Sequence, residues 1–280
     1  MVKLITDTSA LKEERKADGK IGFVPTMGNL HQGHISLLER ALSEYNTVYF
    51  SIFVNPKQFG PNEDFNRYPR TLENDIKLIE KTTERFPNSK VVVYSPKDPK
   101  EVFPEGDNQT ISVQGLSTDL EGKLRPGHFD GVATVVYRLF ELMKPDTAYF
   151  GLKDYQQYLV IPQMVKDLNL FIKIQGMPII REAEGLALSS RNQYLSPEQK
   201  EGSLLISRTL KEIERLMKFN LAEARDYIAE KLKDPNWDYL EIRDSETFSQ
   251  DVSSSKNITV LAVYRMGTTR LLDNIQVEIK

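Results

Sequence analysis

From Ile21 to Gln175 the chain alternates short strand-like runs with amphipathic stretches, and that alternation leaves few folds open. Ile21–Val24, Thr47–Val54, Val91–Tyr94, Thr147–Phe150 and Phe171–Gln175 are rich in β-branched and aromatic residues and read as buried strands. Between them lie helical stretches, one carrying Ile35, Leu37, Leu38, Ala41 and Leu42, the others over Thr71–Thr83, Gly131–Met143 and about Asp154–Leu168. Strands that alternate with helices predict an α/β fold, a Rossmann-like parallel sheet covered by helices on both faces. Ligands on such sheets gather beyond the carboxyl ends of the strands. Pro162 falls inside the last helix, where an interior proline costs roughly 3 kcal/mol, so a bend or break is expected there.

Past Gln175 the pattern changes. Ser196-Pro197-Glu198 is a strong helix start, with serine as cap and proline in the first turn. One long helix is expected to about Phe219 and a second over Leu221–Lys233, followed by strands around Trp237–Ile242, Ile258–Tyr264 and Leu271–Ile279. Helices followed by strands predict a smaller α+β domain, so residues 1–176 are read as the sheet domain and 177–280 as a C-terminal domain.

Composition narrows the function. A net charge of −3 over 280 residues argues against a general nucleic-acid or anionic-membrane surface, so phosphate binding has to be local. Zero cysteines exclude a disulfide framework, a thiol nucleophile and thiolate metal sites, and fit a reducing compartment. The start MVKLITDTSALKEERK lacks a signal-peptide pattern and no apolar run approaches membrane-spanning length, so a cytoplasmic protein is expected.

All three histidines lie in Gly- and Pro-bearing segments: His31 and His34 in PTMGNLHQGH, His128 in LRPGHFDGV. The first segment is a strand, a glycine turn and a helix start, where free amide N–H groups and the helix dipole make an anion site. Gly28 and Gly33 would let the backbone turn and approach a phosphate, with both imidazoles on one helix face. Polar surface is the plainer reading of HxxH alone, and a metal pair lacks a third nearby ligand. Four further segments stand at strand ends or between elements. FVNPKQF carries Asn55 and Gln58, able to hold a hydroxy acid by hydrogen bonds; GLKDYQQ puts Lys153 and Asp154 at a helix start; LALSSRN gathers two hydroxyls and Arg191. EGKLRPGHFD is read as too irregular for a helix, with cations able to close over an anion or simply to lie in water.

Taken together, PTMGNLHQGH, SIFVNPKQFG, NRYPRTLENDI, LEGKLRPGHFDGV, YFGLKDYQQ, LALSSRNQYLS and GTTRLLDNI resemble, in order and over nearly the whole length, the pantoate–β-alanine ligase family of the HxGH nucleotidyltransferase superfamily. The resemblance implies a two-step reaction, in which ATP activates pantoate as pantoyl adenylate and the amine of β-alanine then displaces AMP. By motif, ATP would be bound by Met27, Gly28, Asn29, Leu30, His31, Gln32, Gly33 and His34, by Gly151, Leu152, Lys153 and Asp154, and by Ile180, Leu188, Ser189, Ser190 and Arg191. His34 would be the proton donor, with His31, Lys153 and Arg191 joining it in catalysis. Gln58 and Gln157 would hold pantoate, with Asn55 beside them, and Gln58 would also touch β-alanine. The resemblance implies Mg²⁺, a homodimer, and a C-terminal domain acting as a lid that keeps water from the adenylate.

Some positions depart from the family's pattern. Lys57 stands where methionine is common, Pro162 where a basic residue is usual, and Asn74 where an acid near magnesium is frequent, leaving Asp75 as the metal candidate. Two other functions compete with this one. A different HxGH enzyme passing AMP to a phosphorylated precursor would call for more cations in the acceptor pocket than Asn55, Gln58 and Gln157 provide. A nucleotide sensor without turnover would not need His31, His34, Lys153, Ser189, Ser190 and Arg191 all in place.

Overall fold

In the computed structural model, which describes residues 1–61, 63–106 and 108–279, the strand-like runs do build a parallel sheet. The first elements are β1 (Val2–Ile5), α1 (Thr8–Ala17), β2 (Gly22–Thr26), α2 (Gln32–Glu44), β3 (Thr47–Ile52), α3 (Leu72–Thr83) and β4 (Lys90–Tyr94). They continue with α4 (Glu121–Leu124), α5 (His128–Met143), β5 (Thr147–Gly151), α6 (Tyr155–Asp167) and β6 (Lys173–Met177). The six strands lie in the order β1-β4-β3-β2-β5-β6, every neighbouring pair parallel.

Period-two alternation divides the strand residues between two cores. Phe23, Tyr49, Val92, Tyr94, Ala148 and Phe150 face α1, α5 and α6, whereas Val24, Val48, Phe50, Val91, Val93 and Tyr149 face α2 and α3. That is why TVYFSI reads apolar almost throughout: both faces of β3 are covered.

The structure adds β1 and α1, which sequence patterning overlooked. Leu11 is the one buried residue of α1, so the helix carries almost no apolar stripe, and β1 is a four-residue edge strand. Three expectations are corrected. Of the bend or break expected at Pro162, the break is absent: α6 continues across it, held along its length by buried Val160, Ile161, Met164 and Val165. EGKLRPGHFD is partly helical: Glu121–Leu124 makes one turn and α5 begins at His128, with Gly127 between them in the left-handed conformation. The long helix after Ser196 is two, α7 (Pro197–Gly202) and α8 (Leu204–Met217), parting at the Gly202-Ser203 pair where helices commonly kink.

Two compact units emerge: Met1–Leu152 with Gln156–Pro178, and Lys153–Tyr155 with Ile179–Lys280. The second unit holds α7, α8, α9 (Leu221–Lys231) and an antiparallel sheet of β7 (Trp237–Asp244), β8 (Asn257–Met266) and β9 (Thr269–Glu278). Ile206, Leu210, Ile213 and Met217 of α8 pack with Leu240, Ile242, Val260 and Ala262 of that sheet. Lys153–Tyr155, which sequence placed in the first domain, thus belongs structurally to the second unit. Among the described residues no helix is long and apolar enough to cross a membrane.

Candidate active site

Strand order reverses between β2 and β5: β2 leads outward through β3 to β4, and β5 leads the other way to β6. Ligands on open α/β sheets bind at such a reversal, beyond the carboxyl ends. The segments that leave these ends are PTMGNLHQGH after β2, FVNPKQ after β3 and GLKD after β5, three of those singled out in the sequence.

The turn after β2 is tied down before it reaches α2. Thr26 Oγ1 donates to the Ser51 carbonyl at 2.7 Å, and Phe53 N donates to the Thr26 carbonyl at 3.0 Å, locking the ends of β2 and β3 together. Gly28 (φ 84°) and Asn29 (φ 51°) then take left-handed conformations. A side chain at position 28 would also meet Ile52 Cγ2 at 2.9 Å, so glycine is required there for conformation and space. Buried Asp75, in the first turn of α3, takes the amide hydrogens of the turn: Asn29 N at 3.0 Å and Leu30 N at 2.8 Å, with Thr71 Oγ1 at 3.1 Å.

His31 and His34 form a capping box on α2. His31 Nδ1 accepts from Gly33 N at 3.1 Å, and His34 Nδ1 accepts from His31 N at 3.3 Å. An amide N–H donated to Nδ1 requires a lone pair there, so each neutral ring carries its proton on Nε2. The rings lie 4.1 Å apart between centroids, tilted by 37°, which gathers the two Nε2–H donors at the head of one helix. Gly33 serves this arrangement through space, since a Cβ there would come within 2.9 Å of the His31 ring.

After β3 a chain of amides orients Gln58. Lys57 N donates to Asn55 Oδ1 at 3.1 Å, so Asn55 Nδ2 is the opposite end, and it donates to the Gly131 carbonyl and to Gln58 Oε1, both at 3.0 Å. Gln58 therefore presents its Nε2 hydrogens away from Asn55. Asn55 itself is 1% exposed and spends its side chain on this alignment. On α6 the adjacent glutamines divide similarly. Buried Gln156 donates to the Leu116 and Asp119 carbonyls at 2.7 Å and accepts from Glu121 N at 3.2 Å, whereas the side chain of half-buried Gln157 makes no hydrogen bond among the described residues.

In the second unit, Lys153 Nζ lies 3.1 Å from Asp154 Oδ1. The Lys153 carbonyl accepts from Asn274 Nδ2 at 2.8 Å, and Tyr155 Oη donates to the Ser245 carbonyl at 2.7 Å. Ile180 and Leu188 face each other across a hairpin, Leu188 N donating to the Ile180 carbonyl at 3.0 Å. Arg181 closes on Asp273 through two bonds of 2.6 and 2.8 Å, tying that hairpin to β9. Ser189 caps a 3₁₀ turn over Ser190–Tyr194, its Oγ accepting from Arg191 N at 3.3 Å. Asp273 and Asn274 lie in GTTRLLDNI, whose acid and amide were the signal for a bracing role that sequence reading left unassigned.

Of the nucleotide residues inferred from sequence, Met27–His34 and Gly151–Leu152 belong to the first unit, and Lys153, Asp154, Ile180 and Leu188–Arg191 to the second. Leu30 points its side chain into the core under α2, and its backbone amide is already held by Asp75. The donor set does not fit a resident metal: among the described residues no group of three or more His, Asp or Glu is gathered for one. Both oxygens of Asp75 are occupied by the turn it holds.

Comparison with known proteins agrees over the full chain. The family model described as pantoate-beta-alanine ligase matches residues 2–276. The pantothenate synthetase of Acetivibrio thermocellus is 43% identical over 286 residues, covering 100% of this chain and 99% of the relative. That of Desulfitobacterium hafniense is 45% identical over 271 residues, covering 94% and 93%. Among solved structures, pantothenate synthetase from Thermus thermophilus superposes with a TM-score of 0.89 at 41% identity, covering 98% of each chain. A pantoate-beta-alanine ligase from Francisella tularensis, complexed with beta-gamma ATP and beta-alanine, gives 0.77 at 35% identity, covering 98% of this chain and 97% of that one.

Proposed function

The chain belongs to the pantoate-beta-alanine ligase family, and from that premise we propose how its residues divide the reaction. It is an ATP-dependent ligase that condenses pantoate with β-alanine through an adenylate. A pantoate carboxylate oxygen attacks the α-phosphorus of ATP, the bond to the bridging oxygen breaks, and pyrophosphate leaves. The amine of β-alanine then attacks the acyl carbon, AMP departs with the bridging oxygen, and the nitrogen loses a proton as the amide forms.

Little covalent help is needed from a protein in such a transfer; positioning and charge stabilisation carry it. The paired histidines carry this reading. Their Nδ1 atoms are committed to the backbone, so the two Nε2–H groups serve as oriented donors to phosphate oxygens, next to the amide groups and positive dipole end of α2. His34 acts as proton donor to the charge that builds in the transition state, with His31 at its side. Lys153, Ser189, Ser190 and Arg191 take phosphate oxygens, and Gly151, Leu152, Asp154, Ile180 and Leu188 the rest of the nucleotide. Gln58, through Nε2, and Gln157 hold the hydroxyl and carboxylate of pantoate. Asn55 acts by aligning Gln58. Magnesium enters with ATP, ligated mainly by phosphate oxygens and water, as this ion commonly is. The working form is inferred to be a homodimer in the cytoplasm; sedimentation of the purified chain tests the dimer.

Pantoate-dependent exchange of labelled pyrophosphate into ATP, without β-alanine, tests the first half-reaction. Exchange, followed by pantothenate on adding β-alanine, is the expected result; no exchange with pantoate overturns the assignment. Gln157→Ala is expected to raise the pantoate KM about ten-fold with little change in the KM for ATP, the loss of one substrate hydrogen bond.

A further inference from the structure

Arg125, His128 and Glu63 take no part in the chemistry above, yet together they grip the residue that meets pantoate. Arg125 closes on Glu63 as a two-bond pair, Nε to Oε1 at 2.6 Å and Nη2 to Oε2 at 2.5 Å. Its Nη1 lies 3.1 Å from His128 Nε2 and its Nη2 3.4 Å from the Gln58 carbonyl. A guanidinium only donates, so His128 Nε2 is the acceptor and the ring proton sits on Nδ1. That Nδ1–H donates to the Gln58 carbonyl at 2.8 Å. The hydrogen-bond chain runs from carboxylate to guanidinium to imidazole and ends on the backbone of Gln58.

The helix carrying His128 meets the same turn closely. A Cβ on Gly131 would lie 2.2 Å from the Lys57 carbonyl oxygen and 2.7 Å from Gln58 N, so α5 rests directly on the backbone of Pro56–Gln58. Asn55 Nδ2 joins the Gly131 carbonyl to Gln58 Oε1. Both the main chain and the side chain of Gln58 are therefore referenced to the first turn of α5. Burial, and then the charge of Arg125, hold the His128 imidazole well below its ordinary value, to about 4, against the weaker opposing pull of the Gln58 carbonyl, Glu121 and Glu63. A neutral ring keeps the Nδ1–H and Nε2 roles in place at neutral pH.

We propose that Arg125 and His128, braced by Glu63, are positioning residues for the hydroxy-acid substrate: they fix the Gln58 carbonyl, and with it the direction in which the Gln58 amide donates. The proposal rests on the reading that Gln58 holds pantoate. It predicts an effect on one substrate, which a staple of the fold alone would not give.

The experiment compares the wild type, His128→Ala, His128→Asn and Glu63→Gln by exchange kinetics at varied pantoate and varied ATP, with the melting temperature of each. His128→Ala is expected to raise the pantoate KM roughly three- to ten-fold, the effect of one misdirected hydrogen bond, while the KM for ATP stays within about two-fold. His128→Asn puts an amide N–H where Nδ1–H stood and should recover most of that loss. Glu63→Gln keeps the side-chain volume and weakens the brace, so it should raise the pantoate KM about two- to four-fold, and it decides the matter if His128→Ala does not fold. An unchanged pantoate KM in folded His128→Ala, or in Glu63→Gln should that be the folded variant, overturns the proposal. Equal rises for both substrates, or no recovery in His128→Asn, also overturn it. Failure of the wild type to exchange with pantoate overturns the functional reading itself, and the positioning role with it.

Discussion

The two histidine-bearing regions of the first unit use the same side chain in opposite senses. At the head of α2, His31 and His34 accept backbone N–H groups at Nδ1 and carry their protons on Nε2. At the head of α5, His128 donates from Nδ1 to a backbone carbonyl and accepts at Nε2. The first pair is half-buried and its backbone amides set its tautomer; the second is buried against a guanidinium that sets it. One region turns its Nε2–H groups away from the backbone it caps, and the other holds the peptide of Gln58, the residue proposed to meet pantoate. A histidine in a glycine-bearing loop is therefore no sign by itself of a catalytic group.

The largest expected effect breaks the first region. If His34 gives its proton as proposed, His34→Ala removes a donor to developing phosphate charge, so the exchange rate constant should fall about 10²- to 10³-fold with the dissociation constant for ATP changed only a few-fold. Single-turnover exchange with a parallel ATP titration checks this, and a loss confined to ATP affinity contradicts it.

Next in size is the response of the second region to acid. The folded His128 titrates at about 4 against an ordinary 6.5, so in the folded state the neutral form is favoured. Its contribution to stability is fully present above the unfolded value near 6.5 and is lost as pH falls toward 4, because only the unfolded chain takes up the proton over that window. The size is roughly 3 kcal/mol. Urea unfolding of the wild type and His128→Asn across this range should show a steeper decline in the wild type; parallel curves would rule out the histidine as the cause.

Asp75→Asn sharpens the comparison from outside both regions. Replacing one acceptor oxygen with a donor opposite the Asn29 and Leu30 amides should cost about 1–3 kcal/mol of stability and slow exchange, with the half-saturating magnesium concentration unchanged. A raised magnesium requirement without loss of stability would restore Asp75 as a metal ligand.

The smallest effect is expected at Lys57. Its ammonium lies 4.3 Å from the centroid of Phe103, out in solvent, while only its backbone joins the Gln58 turn. Lys57→Met should change stability by less than about 1 kcal/mol and leave the pantoate KM within about two-fold. A larger change in KM would put this side chain in the pocket.

The position of the candidate site was legible because strand ends and glycine turns leave local traces: PTMGNLHQGH and FVNPKQF, picked out in the sequence, follow the carboxyl ends of β2 and β3. What stayed hidden was the partner of each polar group. EGKLRPGHFD displays cations, but Arg125 is taken by Glu63, 62 positions away, and His128 by Gln58, 70 away. Gln156 and Gln157 are identical neighbours on α6, and only packing against residues 116–121 makes the first structural. Asn55 and Asp75, each 1% exposed, hold hydrogen bonds within the chain that sequence, showing only an amide or a carboxylate, does not display.

The sequence by itself determined the alternation that yields a parallel sheet, since a strand buried on both faces and a helix with one apolar stripe each write their period into consecutive residues. It also determined the caps, such as Ser196 and Pro197, whose bonds close within a few positions. Only the tertiary structure decided the strand order that reverses between β2 and β5, the attachment of Lys153 to the second unit by Asn274, and the tautomer of each histidine. Those depend on donors and acceptors brought together from distant positions, and a hydrogen bond's direction is defined only when both of its ends are in place.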